Sequence, residues 1–343
     1  MPSEARPADV VVTATVTGAF LPRARVLAAS LRRAHPEIPF VLLLLDDPDG
    51  QVRASEPFEV LLPADLPGPD LPTLLFRYTE REAGASAKPQ VLRHLLRRGH
   101  RRVLFLDADM IVTADLGPVL DALDEASILV TPHLLEPASG PGARERELLL
   151  VRAGVLNTGL VGVRAGAETE RFLDWWTRRT LAHGLADPDN GVHMDQRWAD
   201  LAPGMFAGVR LLRDPGVNVA YWNLDERPLR EEGGVLTAGG RPCRVIHASG
   251  YDVRRPDVVS TYASDLRPDA LLAGLLERYR RALLDAGEAD AIGAPWVYDR
   301  WADGAPIPPE AREAHRRLGA AAERFGDPFA VGPGSFRDSL AAR

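Results

Sequence analysis

Short apolar or β-branched runs alternating with stretches of helical spacing constrain this chain more than any single motif does. Val10–Val16 (VVVTATV) is followed by residues 21–33, in which Leu21, Val26, Leu27 and Leu31 recur at helical spacing. Residues 39–45 (PFVLLLL) form a second run that ends in Asp46-Asp47, and residues 58–62 form a third before a Pro/Gly-rich turn at 63–72. Strand, helix and strand in that order predict a parallel sheet covered by helices. Lys88–Arg97 (KPQVLRHLLR) reads as a helix with Pro89 tolerated in its first turn, and residues 102–107 (RVLFLD) read as the next strand. The apolar pattern resumes at 110–112, and further strands are expected at 127–131, 156–163, 209–212 and 244–248, with helices at 116–123 and about 168–181. From about Arg267 the pattern is helical again, and the tail turns Gly/Pro-rich. The expected organisation is an α/β domain over residues 1–265 and a mostly helical extension over 266–343. Trp296, Tyr298, Trp301 and Phe329 need burial, so the extension should dock on the main domain.

A formal net charge of −7 argues against general nucleic-acid binding, which needs a basic face. No stretch approaches the roughly 18 apolar residues that span a bilayer. The opening MPSEARPADV has no apolar core of a secretory signal, so a cytoplasmic location is expected, free or at the inner face of the membrane. A single cysteine, Cys243, leaves no internal disulfide and no multi-cysteine metal site. Arginine supplies 40 of the 41 basic side chains and Lys88 is the one lysine, while asparagine occurs four times and glutamine three. The Ala/Arg/Leu/Gly/Pro bias suits a GC-rich bacterial genome, and within such a bias a rare residue type hints at local chemical need.

Asp107 and Asp109 flank Ala108 where the apolar run VLFL stops. The carboxyl ends of strands are where open α/β sheets place ligands. Two carboxylates at a buried strand end repel each other and lose solvation. A hard divalent cation, Mn²⁺ or Mg²⁺, relieves both costs, keeps open positions for phosphate oxygens and neutralises charge on a departing diphosphate. The alternative is a solvated strand-end turn.

The string FLDADMIV at 105–112 resembles the strand and DXD element of GT-A glycosyltransferases, in particular the retaining family-8-like group. SAKPQVLRHLL precedes it, and VLNTGLVGVR, HMDQRWADLAPGMF, NVAYWNL and IHASGYD follow in that group's order, over about residues 9–262. The resemblance implies a GT-A fold, a Rossmann-like mixed sheet flanked by helices. It also implies transfer of a sugar with retention from a nucleotide-sugar donor, a UDP-sugar by analogy, to a hydroxyl acceptor.

Residue by residue, it implies that Asp107, Asp109 and His247 hold Mn²⁺ or Mg²⁺. Thr13, Ala14, Thr15, Asp46, Lys88, Asp107, Ala108 and Gly250 would meet the nucleotide or its diphosphate. Asp195, Gln196 and Asn157 would meet the donor sugar near its anomeric carbon. For each a plainer role is open: His247 as a packed strand residue, Lys88 on a helix surface, Asn157 in an Asx-turn, Asp195 as a helix cap. The related enzymes often carry Lys-Pro soon after the glycine matched by Gly250. Here the sequence is YDVRRP, which leaves Arg254 or Arg255 for phosphate contact. Trp175, Trp176, Trp198 and Trp222 are expected in the core, and Asn223 is a lesser candidate on the acceptor side. Residues 134–150 and the tail should shape the acceptor pocket, with 137–145 (PASGPGARE) as a mobile lid. Two rival functions are a nucleotidyltransferase that makes nucleotide sugars and a non-catalytic sugar-binding module. The first lacks its Gly-rich phosphate loop in TATVTGAFLPRAR, and the second would fit a chain that had lost the paired carboxylates.

Overall fold

In the computed structural model, which describes residues 9–47, 50–68 and 70–341, nine strands position the site. They are β1 (Val10–Val16), β2 (Phe40–Leu44), β3 (Glu59–Leu61), β4 (Arg102–Leu106), β5 (Met110–Val112), β6 (Ile128–Pro132), β7 (Leu156–Arg164), β8 (Val209–Leu211) and β9 (Val245–His247). Seven make one sheet in the order β8-β6-β7-β4-β1-β2-β3. β1 runs parallel to β2 and β4, β2 to β3, and β8 to β6, whereas β7 is antiparallel to both neighbours. The sheet is therefore mixed, as expected. β9 pairs outside the seven-stranded sheet, antiparallel to β5, with His247 opposite Met110. Residues 1–8, on which most of the N-terminal reading rests, lie outside the described residues.

Strand alternation builds the layers. Val11, Val41, Leu43, Val103 and Phe105 face one core with the helices over Lys88–Arg97 and Ala167–His183, while Val12, Ala14, Leu42, Leu44, Leu104 and Leu106 face another with the helix over Leu21–Ala34. α1 (Leu21–Ala34) starts with Pro22 in its first turn and buries Leu21, Ala24, Leu27 and Leu31. α2 (Glu80–Ser86) opens with a capping box between Thr79 and Glu82. α3 (Lys88–Arg97) and α5 (Ala167–His183) cover the opposite face. Each fully buried leucine here contributes roughly 1.5–3 kcal/mol, against ~0–1 kcal/mol for an exposed ion pair. The cores, not the numerous arginine–carboxylate pairs, hold the sheet.

Part of the segment expected to shape the acceptor pocket is helical: α4 spans Ala143–Ala153. Its sequence ARERELLLVRA has no Gly or Pro inside, and left-handed Gly142 and Gly154 (φ +125°) bound it. It buries none of its residues, so amphipathic patterning gives no sign of it. The helical C-terminal region begins with α6 (Ala270–Asp285), whose Leu272, Leu276, Tyr279 and Leu283 pack on Val26, Ala248, Tyr251 and Val253. α7 (Pro309–Leu318) and the tail enclose Phe76 with Trp301, Ile307 and Phe336. Trp296 and Trp301 are buried, and Tyr298 and Phe329 pack partly buried. Among the described residues no helix is long and apolar enough to cross a membrane.

Candidate metal and ligand site

β4 ends because the chain must turn. Asp107 N donates to Gly159 O at 2.7 Å and Met110 N donates back to Asp107 O at 2.9 Å, leaving a tight Asp-Ala-Asp turn between β4 and β5. β5 then carries β9 alongside, and Ala248 N donates to Asp109 O at 2.9 Å. That pairing brings His247 to the acidic turn across 138 residues of sequence. His247 Nε2 lies 3.1 Å from Asp109 Oδ1 and 3.9 Å from Asp107 Oδ2. One ligand atom from each of the three falls within 4.8 Å of the others.

The donor set fits a hard or borderline divalent cation. Asn218 spends its Nδ2 on Thr131 Oγ1 and Asn157 Oδ1, both at 2.9 Å, so its Oδ1 faces His247 Nδ1 at 3.0 Å. Nδ1 must then carry a proton, so Nε2 is the nitrogen that faces the carboxylates: it donates to Asp109 when protonated and would offer its lone pair to a cation that displaced that proton. Burial would lift the Asp109 carboxyl, but His247 and Arg23 outweigh it and hold it below the usual range. Burial would lower the His247 imidazole, and Asp109 and Asp107 raise it instead. A compensating positive charge is thus built into the pair, the part a cation takes over.

Lys88 stands at the first position of α3, where the helix dipole disfavours a cation. Two carboxylates hold it there: Nζ lies 3.1 Å from Asp107 Oδ1 and 3.2 Å from Asp195 Oδ2, and donates to Thr158 O at 3.1 Å. Lys88 and Asp195 are almost fully buried. Burial alone would lower the ammonium, yet the two carboxylates keep its pKa above the ordinary lysine value. For Asp195 burial prevails over Lys88, and its carboxyl is raised. Lys88 thus donates to Thr158 O and pairs by charge with Asp107 and Asp195, tying the acidic turn to Asp195.

Gln196 Nε2 donates to Ala153 O at 2.9 Å, and its Oε1 accepts from Asn157 Nδ2 at 3.3 Å. Asn157 Oδ1 accepts from Gly159 N at 3.1 Å, the Asx-turn foreseen as its plainer role. Gly159 is required by packing: a Cβ there would sit 2.7 Å from Asn157 Oδ1, His247 Cε1 and Met110 Cε.

A cavity of about 720 Å³ opens over these groups. Asp107, Ala108, Asp109, His247, Lys88, Asn157, Asp195, Gln196, Thr15 and Gly250 all line it. Thr13, Ala14 and Asp46 do not. Thr13 and Ala14 are 0% exposed, because two residues before the strand exit both faces of β1 are still covered by helices. Asp46 accepts from Gly18 N at 2.6 Å, and burial pushes its carboxyl up to about 6. Gly250 has φ +71°, and a Cβ on it would meet Ser260 Oγ at 2.6 Å. Arg254 lines the cavity but is paired with Asp252 through two contacts at 2.9 and 2.8 Å, and Arg255 does not line it.

Trp176 is core, and Trp175 and Trp198 pack against it. Trp222 instead forms cavity wall, edge-on to His247 at 5.2 Å. Asn223 is buried away from the cavity and caps Ala220 N at 2.9 Å. Leu149, Leu150 and Ala153 of α4 line the mouth. Sequence reasoning missed Asn218, the hub between His247 and Asn157, and His133, which lines the cavity and which burial drives down to about 3. The rarity of asparagine was a usable signal, since three of the chain's four meet here.

No family model matches the chain. It is similar to two uncharacterised proteins of Bacillus subtilis (strain 168): YfnF, 25% identical over 154 residues, covering 44% of this chain and 50% of YfnF, and YfnD, 23% identical over 191 residues, covering 54% and 59%. The chain thus spans between half and three-fifths of the curated relatives it matches. Among solved structures it is similar to the galactosyltransferase LgtC in complex with donor and acceptor sugar analogues, at 16% identity, TM-score 0.48, covering 80% of this chain and 95% of that one. It is also similar to the glycosyltransferase GlyE of Streptococcus pneumoniae TIGR4, at 14% identity, TM-score 0.47, covering 86% and 66%. At such scores the likenesses add nothing to what strand order and site geometry carry.

Proposed function

We propose that this chain is a metal-dependent glycosyltransferase that uses a nucleotide-sugar donor, with UDP as the nucleotide, transfers the sugar with retention, and acts on a hydroxyl acceptor. The observation that carries the reading is the Asp107–Asp109–His247 cluster facing a cavity that also holds the buried Lys88–Asp195 pair. Asp107, Asp109 and His247 would hold Mn²⁺ or Mg²⁺, which when bound supplies a Lewis acid for the donor diphosphate. Thr15, Ala108 and Gly250 would contact the nucleotide and its phosphates. Asp195, fixed by Lys88, would face the sugar and offset positive charge growing at the anomeric carbon. Gln196, with one Nε2 hydrogen and one Oε1 lone pair still open, would orient sugar hydroxyls, and Asn157 would hold its amide in place. The catalytic unit is the α/β part, residues 1–265, with residues 266–343 docked on it.

Calorimetric titration of a panel of nucleotide sugars with and without Mn²⁺, on wild type and Asp109→Ala, tests this reading. One donor should bind with Mn²⁺ and fail to bind the variant. If the panel stays silent under every metal condition, the transferase reading falls. Metal-dependent binding without turnover toward any acceptor or water would favour the binding module.

A further inference from the structure

The cavity has a second cationic feature that the metal cluster and Lys88 leave unexplained. Arg23, in the first turn of α1, lines the cavity on the Gly250–Tyr251 side. Its Nε and Nη2 donate to Glu288 Oε1 at 2.9 and 2.8 Å, and Nη2 also donates to Tyr251 O at 3.0 Å. Its Nη1 donates to no group among the described residues. The guanidinium carbon sits 5.3 Å from the centre of the Phe20 ring, which also lines the cavity and is 43% exposed. Arg23 thus lies beside an exposed aromatic ring in the cavity that the acidic turn also lines, with one edge clamped and the other free.

The clamp is expensive. Glu288 is 2% exposed, and its Oε2 finds no donor among the described residues. Removing two charges from water is repaid by their attraction only when every remaining polar atom is satisfied. An ion pair left incomplete is a poor device for stability and a good one for fixing a guanidinium in place. The other basic groups lining the cavity do not offer the same thing. Lys88 is already paired with two carboxylates, Arg254 is paired with Asp252, and Arg81 is exposed, with its guanidinium over the Tyr262 ring at 5.6 Å.

We propose that Arg23, oriented by Glu288 from the C-terminal region, is the protein cation that receives the diphosphate of the nucleotide ligand. This rests on the transferase reading above. A planar guanidinium with a free pair of N–H groups suits phosphate oxygens, and one held in advance loses little entropy on binding. The C-terminal region then completes the ligand site rather than merely covering it. Arg23 takes the role that the sequence left to Arg254 or Arg255.

The test is calorimetry at saturating Mn²⁺ with UDP, GDP and dTDP, each against its nucleoside, and with inorganic pyrophosphate. For the diphosphate that binds wild type, Arg23→Gln should weaken binding roughly 10- to 100-fold, the range for losing a hydrogen bond to a charged group. The nucleoside should change by less than about 2-fold, because it makes no phosphate contact. Because Arg23→Gln leaves Glu288 buried and alone, the double variant Arg23→Gln/Glu288→Gln serves as the folded control, checked by its melting curve, and should show the same loss. Arg23→Lys should recover part of it. Wild-type affinity for the diphosphate in the folded double variant, or an equal loss for the nucleoside, overturns the assignment while leaving the transferase reading intact. Failure of wild type to bind any probe overturns both.

Discussion

Replacing Lys88 with methionine removes one charge from a largely buried ion-pair network. Nζ lies 3.1 and 3.2 Å from the carboxylates of Asp107 and Asp195. At an effective dielectric constant of about 20, each contact is worth a gross ~5 kcal/mol. Most of that is offset by the desolvation of three charged groups, so the net value of the network is small. The variant shows something else, because it leaves Asp195, 2% exposed, with no opposite charge. Breaking one side of such a pair costs roughly 3–5 kcal/mol. Methionine preserves the volume of the stem, which keeps cavity formation out of the balance. Urea unfolding at pH 7 should therefore register a loss in that range. Asp195→Asn in the Lys88→Met background should recover most of it, since the stranded charge is then gone. A Lys88→Met variant within about 1 kcal/mol of wild type would refute the premise that Asp195 is ionised and buried beside Lys88.

Three further outcomes follow from the same geometry. Gly159→Ala puts a methyl group 2.7 Å from His247 and Asn157; it should cost roughly 1–3 kcal/mol by overpacking and weaken Mn²⁺ binding, and an unperturbed variant on both counts would show that His247 is not braced there. Asn218→Ala removes the anchor of His247 Nδ1 and should weaken Mn²⁺ binding about 10- to 100-fold in calorimetry; unchanged affinity would rule out Asn218 as the group that sets the tautomer. His315 accepts from Arg77 Nε at 3.1 Å, and burial, with Arg77 and Arg316, drives its pKa down to about 4. The unfolded chain then binds the extra proton between about pH 4 and 6.5, so stability is full above about 6.5 and falls as pH drops, by at most roughly 3 kcal/mol. His315→Gln, which keeps an acceptor without titrating, should flatten that part of the urea-derived stability profile, and parallel profiles would contradict it.

The strand–helix alternation and the acidic turn were legible because both depend on local pattern. Residues 88–97 read as a helix and are one, and VLFL ends at Asp107 as the hydropathy suggests. Side-chain direction at a strand exit was not legible. Thr13, Ala14 and Thr15 look alike in sequence, and only the depth of covering helices separates the two buried residues from the one that lines the cavity. The pairing of β9 with β5 is a contact across the chain that no window of sequence reports. α4 escaped because an exposed helix carries no apolar stripe. Asn218, with φ +59°, and the Arg23–Glu288 clamp are products of tertiary arrangement, and neither has a spacing that would announce it.

Donor turnover in the absence of an acceptor tests the central claim most directly, because water can replace the acceptor hydroxyl. Nuclear magnetic resonance would follow each nucleotide sugar with Mn²⁺, with chelator, and with Asp109→Asn or Asp195→Asn protein. Slow release of free sugar and nucleoside diphosphate from one donor is expected, with the sugar appearing first as the donor's own anomer, and with loss of the reaction on chelation and in both variants. Turnover that persists with chelator or in Asp109→Asn, or no turnover of any donor that binds, would contradict the account.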